Sequence, residues 1–471
     1  MLFNSLVFFV FLALCLALYA LPIPWRLKKL ELLVFSYLFY AAWNPPFVAL
    51  LALSTVVDWT VAKRMAGAVG AARRALLLVS LSVNLGLLGY FKYGGFLLEN
   101  FQLLLAGLGV DYRPPEWSIV LPVGISFYTF QTLSYTIDVY RGDMRPWSSF
   151  LDFALFVSFF PQLVAGPIVR AAHFLPQCLT PRRVTAVQLG WGGALLTLGL
   201  FEKVILADML MAPVADRVFG LAEFAGFTSA WLGTLAFSAQ IFFDFAGYST
   251  CAIGIATMLG FAIPRNFRFP YAAVGFSDFW RRWHVSLSSW LRDYLYIPLG
   301  GNRKGRRRTL INLAITMLLG GLWHGAAWRF LVWGGLHGLY LVGERAVRRR
   351  WGDVWWNGGR ARPIAAALGT YALVCLAWVF FRAADFGSAA QLSLAMLGAR
   401  EGHWVLLRGT AGIVVAVTVG LLTVHWLMRE RTLEELARLA PRWVTVLALA
   451  AMWICLALAP GDDRAFIYFQ F

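Results

Sequence analysis

The feature that most constrains this chain is a series of long segments carrying no charge. Residues 2–25, 32–57, 117–137, 245–264, 309–328, 363–381, 409–428 and 443–460 contain no Asp, Glu, Lys or Arg. Most reach the roughly 17–25 residues a helix needs to cross a hydrocarbon core. A soluble fold could not bury so much apolar side chain. The chain is 60% hydrophobic and 14% charged, whereas ordinary soluble domains are about one-quarter charged. Disorder is excluded too, because Phe, Trp and Tyr make up 16% of the residues, far from a disordered composition. The expected class is an all-α polytopic membrane protein, with residues 1–471 forming one membrane domain.

The net charge of +17 would suggest nucleic acid in a soluble protein. Here the basic runs Arg26–Lys29, Lys63 to Arg74, Arg265–Arg268, Arg303–Arg308 and Arg345–Arg350 lie between apolar spans. That is the pattern of cytoplasmic loops enriched in Lys and Arg, and no nucleic-acid partner is expected. Met1–Asn4 has no positive charge, while Arg26, Lys28 and Lys29 follow the first span. This argues against a cleaved signal peptide and places the N-terminus outside. About eleven crossings are expected, with 229–243 and 245–264 as separate spans and 96–110 as a short interfacial piece. Segments 117–140 and 151–169 are broken by Pro122, Gly124, Pro161, Gly166 and Pro167. Such breaks are tolerated at membrane depth where the backbone is buried in protein or lines a cavity. The five cysteines lie far apart and read as small core residues, not disulfides or metal ligands.

Residues 265–308 lack a span but are rich in Trp, Arg and Tyr. At helical spacing Trp280, Trp283, Leu287, Leu291 and Leu295 share one side, and Arg281, Arg282, Ser288 and Arg292 lie towards the other. This pattern predicts a helix in the cytoplasmic interface.

Of six histidines, His324 is the most unusual. It lies near the far end of an uncharged stretch that begins after Arg308, which puts it roughly 24 Å from the basic loop if the stretch is helical. An ionisable group at that depth faces a bundle interior or a wet cavity and is a functional candidate. His284, on the amphipathic segment, is the second, since two histidines from different elements can share base and orienting roles. His337 reads as structural. Asp244 is the only charged residue between Glu223 and Arg265, and a structural pairing with an Arg or Tyr is expected. The histidines do not cluster, so no metal site is expected. No HExxH, GxxxxGK[ST] or GxSxG pattern occurs. Pump chemistry would call for more intramembrane acids or a repeated half.

Several stretches resemble the membrane-bound O-acyltransferase (MBOAT) family, and in particular its bacterial polysaccharide branch. These are QIFFDFAGYS at 240–249, FWRRWHVSLSSWLRDYLYIPLGGNRKG at 279–305, TMLLGGLWHG at 316–325 and WGGLHGLYL at 333–341. FFPQLVAGPIVR at 159–170 and FIYFQF at 466–471 are also similar to that branch. Two departures make the region after the first motif more basic. Thr250 stands where the related pattern carries Asp, and Pro264-Arg265-Asn266-Phe267-Arg268 replaces a less basic run.

The resemblance implies acyl transfer from a thioester to a hydroxyl, with His324 at the family's invariant histidine and His284 at a second motif histidine. It implies a ring of tilted helices around a cytoplasmic funnel in a bacterial inner membrane. Acetyl-CoA is the implied co-substrate, with no bound cofactor, and the acetyl group passes to periplasmic polysaccharide-modifying partners. Arg281, Arg282, Trp283, Arg292, Asp293, Asn302, Arg303, Lys304 and Trp323 are the expected donor-binding residues, although anchoring of the basic loop at the membrane explains its charges equally well. Two other readings stay open: an acyltransferase taking D-alanine or another acyl group from a carrier protein, and a non-enzymatic transporter or scaffold.

Overall fold

A computed structural model describes residues 1–114, 119–352, 359, 361–459, 464, 466 and 467. Among these residues the protein is helical, and its only strand-like pairing is an isolated bridge between Ala225 and His403. The chain packs as two compact units. One comprises Met1–Gly193 with Ala252–Pro264, the other Ala194–Cys251 with Arg265–Phe471.

The first unit contains α1 (Leu6–Tyr19), α2 (Trp25–Ala41), α3 (Phe47–Met65), α4 (Gly70–Gly107), α5 (Ile125–Arg141) and α6 (Phe150–Ser158). The expected interfacial piece at 96–110 is instead the continuation of α4, which passes through a wider π-helical turn at Gly89–Tyr93. Segment 151–169 breaks as its Pro and Gly pattern predicts. After α6 a single turn, Phe160–Leu163, follows, and the Phe160 N–H freed at the break donates to Ser36 Oγ at 3.1 Å. Gly124 (φ 76°) has a reason to be glycine: a Cβ there would lie 2.6 Å from the Leu163 carbonyl oxygen.

α7 (Ala186–Leu200) and α8 (Phe227–Met258) each have residues in both units, and the second unit holds α9 (Phe276–Arg282), α10 (Val285–Leu291), α11 (Gly305–His324), α12 (Trp328–Trp351), α13 (Ala361–Arg382), α14 (Thr410–Leu427) and α15 (Arg442–Leu458). The two spans expected at 229–243 and 245–264 are one helix, α8. The charge of Asp244 does not interrupt it, because Lys203 lies against that carboxylate. The continuous amphipathic helix expected from Trp280 onward is also corrected. It breaks at Trp283–His284, and Arg282, Trp283 and His284 are all buried. Among the described residues, α4, α8, α13 and α14 are long and apolar enough to cross a membrane. These helices do not establish a count of eleven crossings.

Candidate active site

The second unit brings both expected histidines onto one aromatic wall. His324 is the last residue of α11. His284 occupies the break between α9 and α10, with φ 42° and ψ 55°, a left-handed conformation that non-glycine residues rarely adopt. Its neighbours hold it there. Arg268 N–H donates to the Arg282 carbonyl at 2.9 Å, and Val285 N–H donates to the Asn266 carbonyl at 2.8 Å. The buried Asn266 side chain donates to Ser249 Oγ at 3.0 Å and accepts from Ser286 Oγ at 2.6 Å. Backbone strain of this kind persists only where the surroundings over-determine it, and it clusters at functional sites. Asn266 is thus a positioning residue that sequence reasoning passed over, although it stands in the basic run that departs from the related pattern.

Trp323 connects the two histidines, its ring 5.7 Å from His284 and 5.0 Å from His324. His324 also meets Trp333 edge-on at 4.9 Å and Phe381 at 5.4 Å. Phe245 closes the other side of His284 at 4.7 Å. Burial holds the His284 imidazole down to about 3, so it is neutral at neutral pH. Trp333 then contacts His337 at 4.8 Å. Among the described residues, neither ring nitrogen of His337 has a hydrogen-bond partner. Nor do the indole N–H groups of Trp280, Trp333 and Trp378. Buried polar groups are nearly always satisfied. These unspent groups cluster around Trp333, which meets His324, and suit a site that receives oxygen atoms from a substrate. Trp333 was missed, although it opens the quoted WGGLHGLYL block.

The other expected binding residues fall into different settings. Arg282 is engaged within the protein, paired with Asp278 at 2.9 Å and Glu430 at 3.0 Å, and it donates to the Arg429 carbonyl at 2.8 Å. Trp283 is fully buried against Phe279, Phe267 and Trp378. Arg292 pairs with the adjacent Asp293 at 2.7 Å, and Arg281, Asn302, Arg303 and Lys304 are exposed. Trp323 alone of this group touches both histidines.

Asp244 is buried and paired with a lysine, where an Arg or Tyr was expected. One oxygen contacts Lys203 Nζ and the other accepts from the Ile467 N–H at 2.8 Å. Lys203 also bonds Asp208 at 3.0 Å. His337 and His425 are buried, the latter accepting from the Tyr271 N–H at 3.2 Å. All five cysteines are free, and all but Cys455 are buried. Among the described residues no cluster could hold a metal ion.

The sequence profile of the MBOAT, membrane-bound O-acyltransferase family matches residues 137–384. That span contains Asn266, His284, Trp323, His324 and Trp333. A Pseudomonas putida protein described as "Probable alginate O-acetylase AlgI" is 39% identical over the whole of both chains. A Helicobacter pylori peptidoglycan O-acetyltransferase is 38% identical, over 79% of this chain and 74% of its own. A Streptococcus thermophilus teichoic acid D-alanyltransferase is 31% identical over 54% of this chain and 65% of its own. With a family profile across half its length and a full-length relative at this identity, the chain belongs to the membrane-bound O-acyltransferase family and is a membrane-embedded O-acyltransferase.

Proposed function

We propose that this protein takes an acetyl group from cytoplasmic acetyl-CoA and passes it across the bacterial inner membrane. The acetyl group then O-acetylates an exported, alginate-like polysaccharide with the help of periplasmic modifying proteins. The fold in this reading is a ring of about eleven crossings around a cytoplasmic funnel, which the basic runs would orient. The observation that carries the reading is the junction His284–Trp323–His324: two buried imidazoles in van der Waals reach of one indole, in a family that transfers acyl groups. The full-length alginate O-acetylase relative and the peptidoglycan O-acetyltransferase point to acetyl and to a glycan.

In the reaction the acceptor hydroxyl loses its proton to His324 as its oxygen bonds the thioester carbonyl carbon. The C–S bond then breaks, the carbonyl re-forms, and the coenzyme thiolate leaves and takes up the proton. If His324 instead attacks first, its ring nitrogen carries the acetyl until the hydroxyl displaces it. Either course needs a neutral imidazole and donors for the oxyanion. His284 orients the wall through Trp323, and the orphan indole N–H groups supply donors. Arg281, Arg303 and Lys304 would meet the phosphates of the donor.

The test is coenzyme A release from acetyl-CoA by the purified protein in proteoliposomes with a cell-envelope extract. Wild type should release it, and His324→Ala should lose about 10²–10⁴-fold in rate at unchanged membrane abundance. Release unaffected by the substitution would overturn the role of His324. No release from folded wild type would overturn the acetyl-CoA donor and favour a carrier-protein thioester.

A further inference from the structure

We propose that a cleft between α11 and α12 binds the phosphate group of an anionic ligand. The two helices pack backbone to backbone around Gly321 and Gly334, where a Cβ on either would overlap a carbonyl oxygen of the other helix. Towards the opposite end of the pair, about 350 Å³ is left open between them. The cleft lies between residues at helical spacing on each side, with Arg306 and Leu310 from α11 and Val342, Arg345 and Arg349 from α12, while Asn302 reaches it from the preceding loop.

Three arginines from two helices therefore line one cleft, and all three are exposed. Among the described residues none of them is in an ion pair. The nearby carboxylate, Glu344, is already committed to Arg348 at 2.9 Å and to the Ser277 N–H at 2.8 Å. Like charges held around one opening repel one another, and an anion placed among them relieves that repulsion. Arginine suits phosphate because its planar fork can donate two parallel hydrogen bonds. The apolar floor formed by Leu310 and Val342 suits a ligand with a carbon skeleton. Basic pockets between membrane helices are general headgroup sites. Arg306 lies about 27 Å along α11 from His324, so a lipid bound here would be separate from acyl transfer, whereas a nucleotide-type phosphate here would rest on the acetyl-CoA reading, whose expected donor-binding residues include Asn302.

The shared chemistry is a phosphate ester, and its source is either an anionic phospholipid or a soluble nucleotide-type phosphate. Two probes separate these sources for the purified full-length protein. One is fluorescent phosphatidylglycerol in phosphatidylcholine nanodiscs, and the other is adenosine 3′,5′-bisphosphate measured by calorimetry. Wild type should bind at least one probe. The triple variant Arg306→Gln/Arg345→Gln/Arg349→Gln should weaken it about ten-fold or more. A matched triple variant of exposed neighbours outside the cleft, Arg307→Gln/Arg308→Gln/Arg350→Gln, should change it by no more than about two-fold. If the first triple fails to fold, single Arg345→Gln at an exposed position repeats the test, with an expected loss of about three-fold or more. Binding lost for phosphatidylglycerol alone assigns a lipid, and for the bisphosphate alone a soluble ligand. Three results overturn the proposal: no binding by wild type, unchanged binding in the cleft variant, or equal losses in both triples, which would mean a diffuse positive field.

Discussion

At the scale of single residues, His284 shows how position sets protonation. It is completely buried in a left-handed kink, and burial holds its imidazole at about 3. In an unfolded chain a histidine titrates near 6.5. Between those values the unfolded state binds a proton that the folded state refuses, so stability falls as pH drops through the window. From pH 7 to pH 5 this one residue accounts for about 2 kcal/mol of lost stability. His284→Gln removes the titration and keeps a polar side chain of similar reach. Thermal unfolding midpoints at pH 7 and pH 5 should therefore drop less in the variant than in wild type. The readout is the change with pH and not the absolute midpoint, so a general weakening by the substitution does not confuse it. Equal drops in the two proteins would mean that His284 is solvated.

At the scale of elements, the α11–α12 hairpin delivers His324, and glycine makes the hairpin possible. A methyl at Gly321 would overlap the Phe330 carbonyl oxygen, and one at Gly334 would overlap that of Met317. Both obstacles are backbone and cannot rotate away. Gly321→Ala or Gly334→Ala should cost about 1–3 kcal/mol and, with His324 as the proposed base, lower acyl transfer by displacing it. Gly335→Ala, whose nearest neighbour is the Leu318 side chain at 3.6 Å, should be close to neutral. Melting temperatures of the three variants check this, and an equal effect at Gly335 would overturn it.

Legibility in the sequence divides along the same line. The charge-free runs, the breaks at Pro161 and Gly166 and the depth of His324 from the basic loop are local signals, carried by spacing and composition. Three features depended on partners distant in sequence. Asp244 splits an apolar run until Lys203 is placed against it, and the kink at His284 needs Asn266. The apparent amphipathic stripe through Trp283 dissolves because Arg282, besides its helical neighbour Asp278, finds the distant Glu430 and the Arg429 carbonyl and is buried with Trp283.

On the scale of the whole molecule, a chain that buries so much apolar surface must also settle the few charges it takes inside. Among the described residues, Lys203 centres one such arrangement, with one cation between Asp208 and Asp244 and the Ile467 N–H bound to the second of these acids. That arrangement ties the C-terminal segment to α8, next to the histidine wall, since Phe466 packs on Phe245 and Phe245 packs on His284. The two ways of breaking it are not equivalent. Asp244→Asn leaves the Lys203–Asp208 pair intact, and its amide oxygen still accepts from Ile467. Lys203→Met leaves two buried carboxylates with no cation, and stranding one buried charge already costs about 3–5 kcal/mol. Lys203→Met should therefore destabilise the protein severely and reduce its membrane abundance, and Asp244→Asn should fall well short of that. Adding Asp208→Asn and Asp244→Asn to Lys203→Met removes the stranded charges and should recover much of the loss. Abundance in membranes and midpoint of unfolding for the single and triple variants check the ordering. A triple variant no more stable than Lys203→Met would show that Lys203 acts through packing of its alkyl chain and not through its charge.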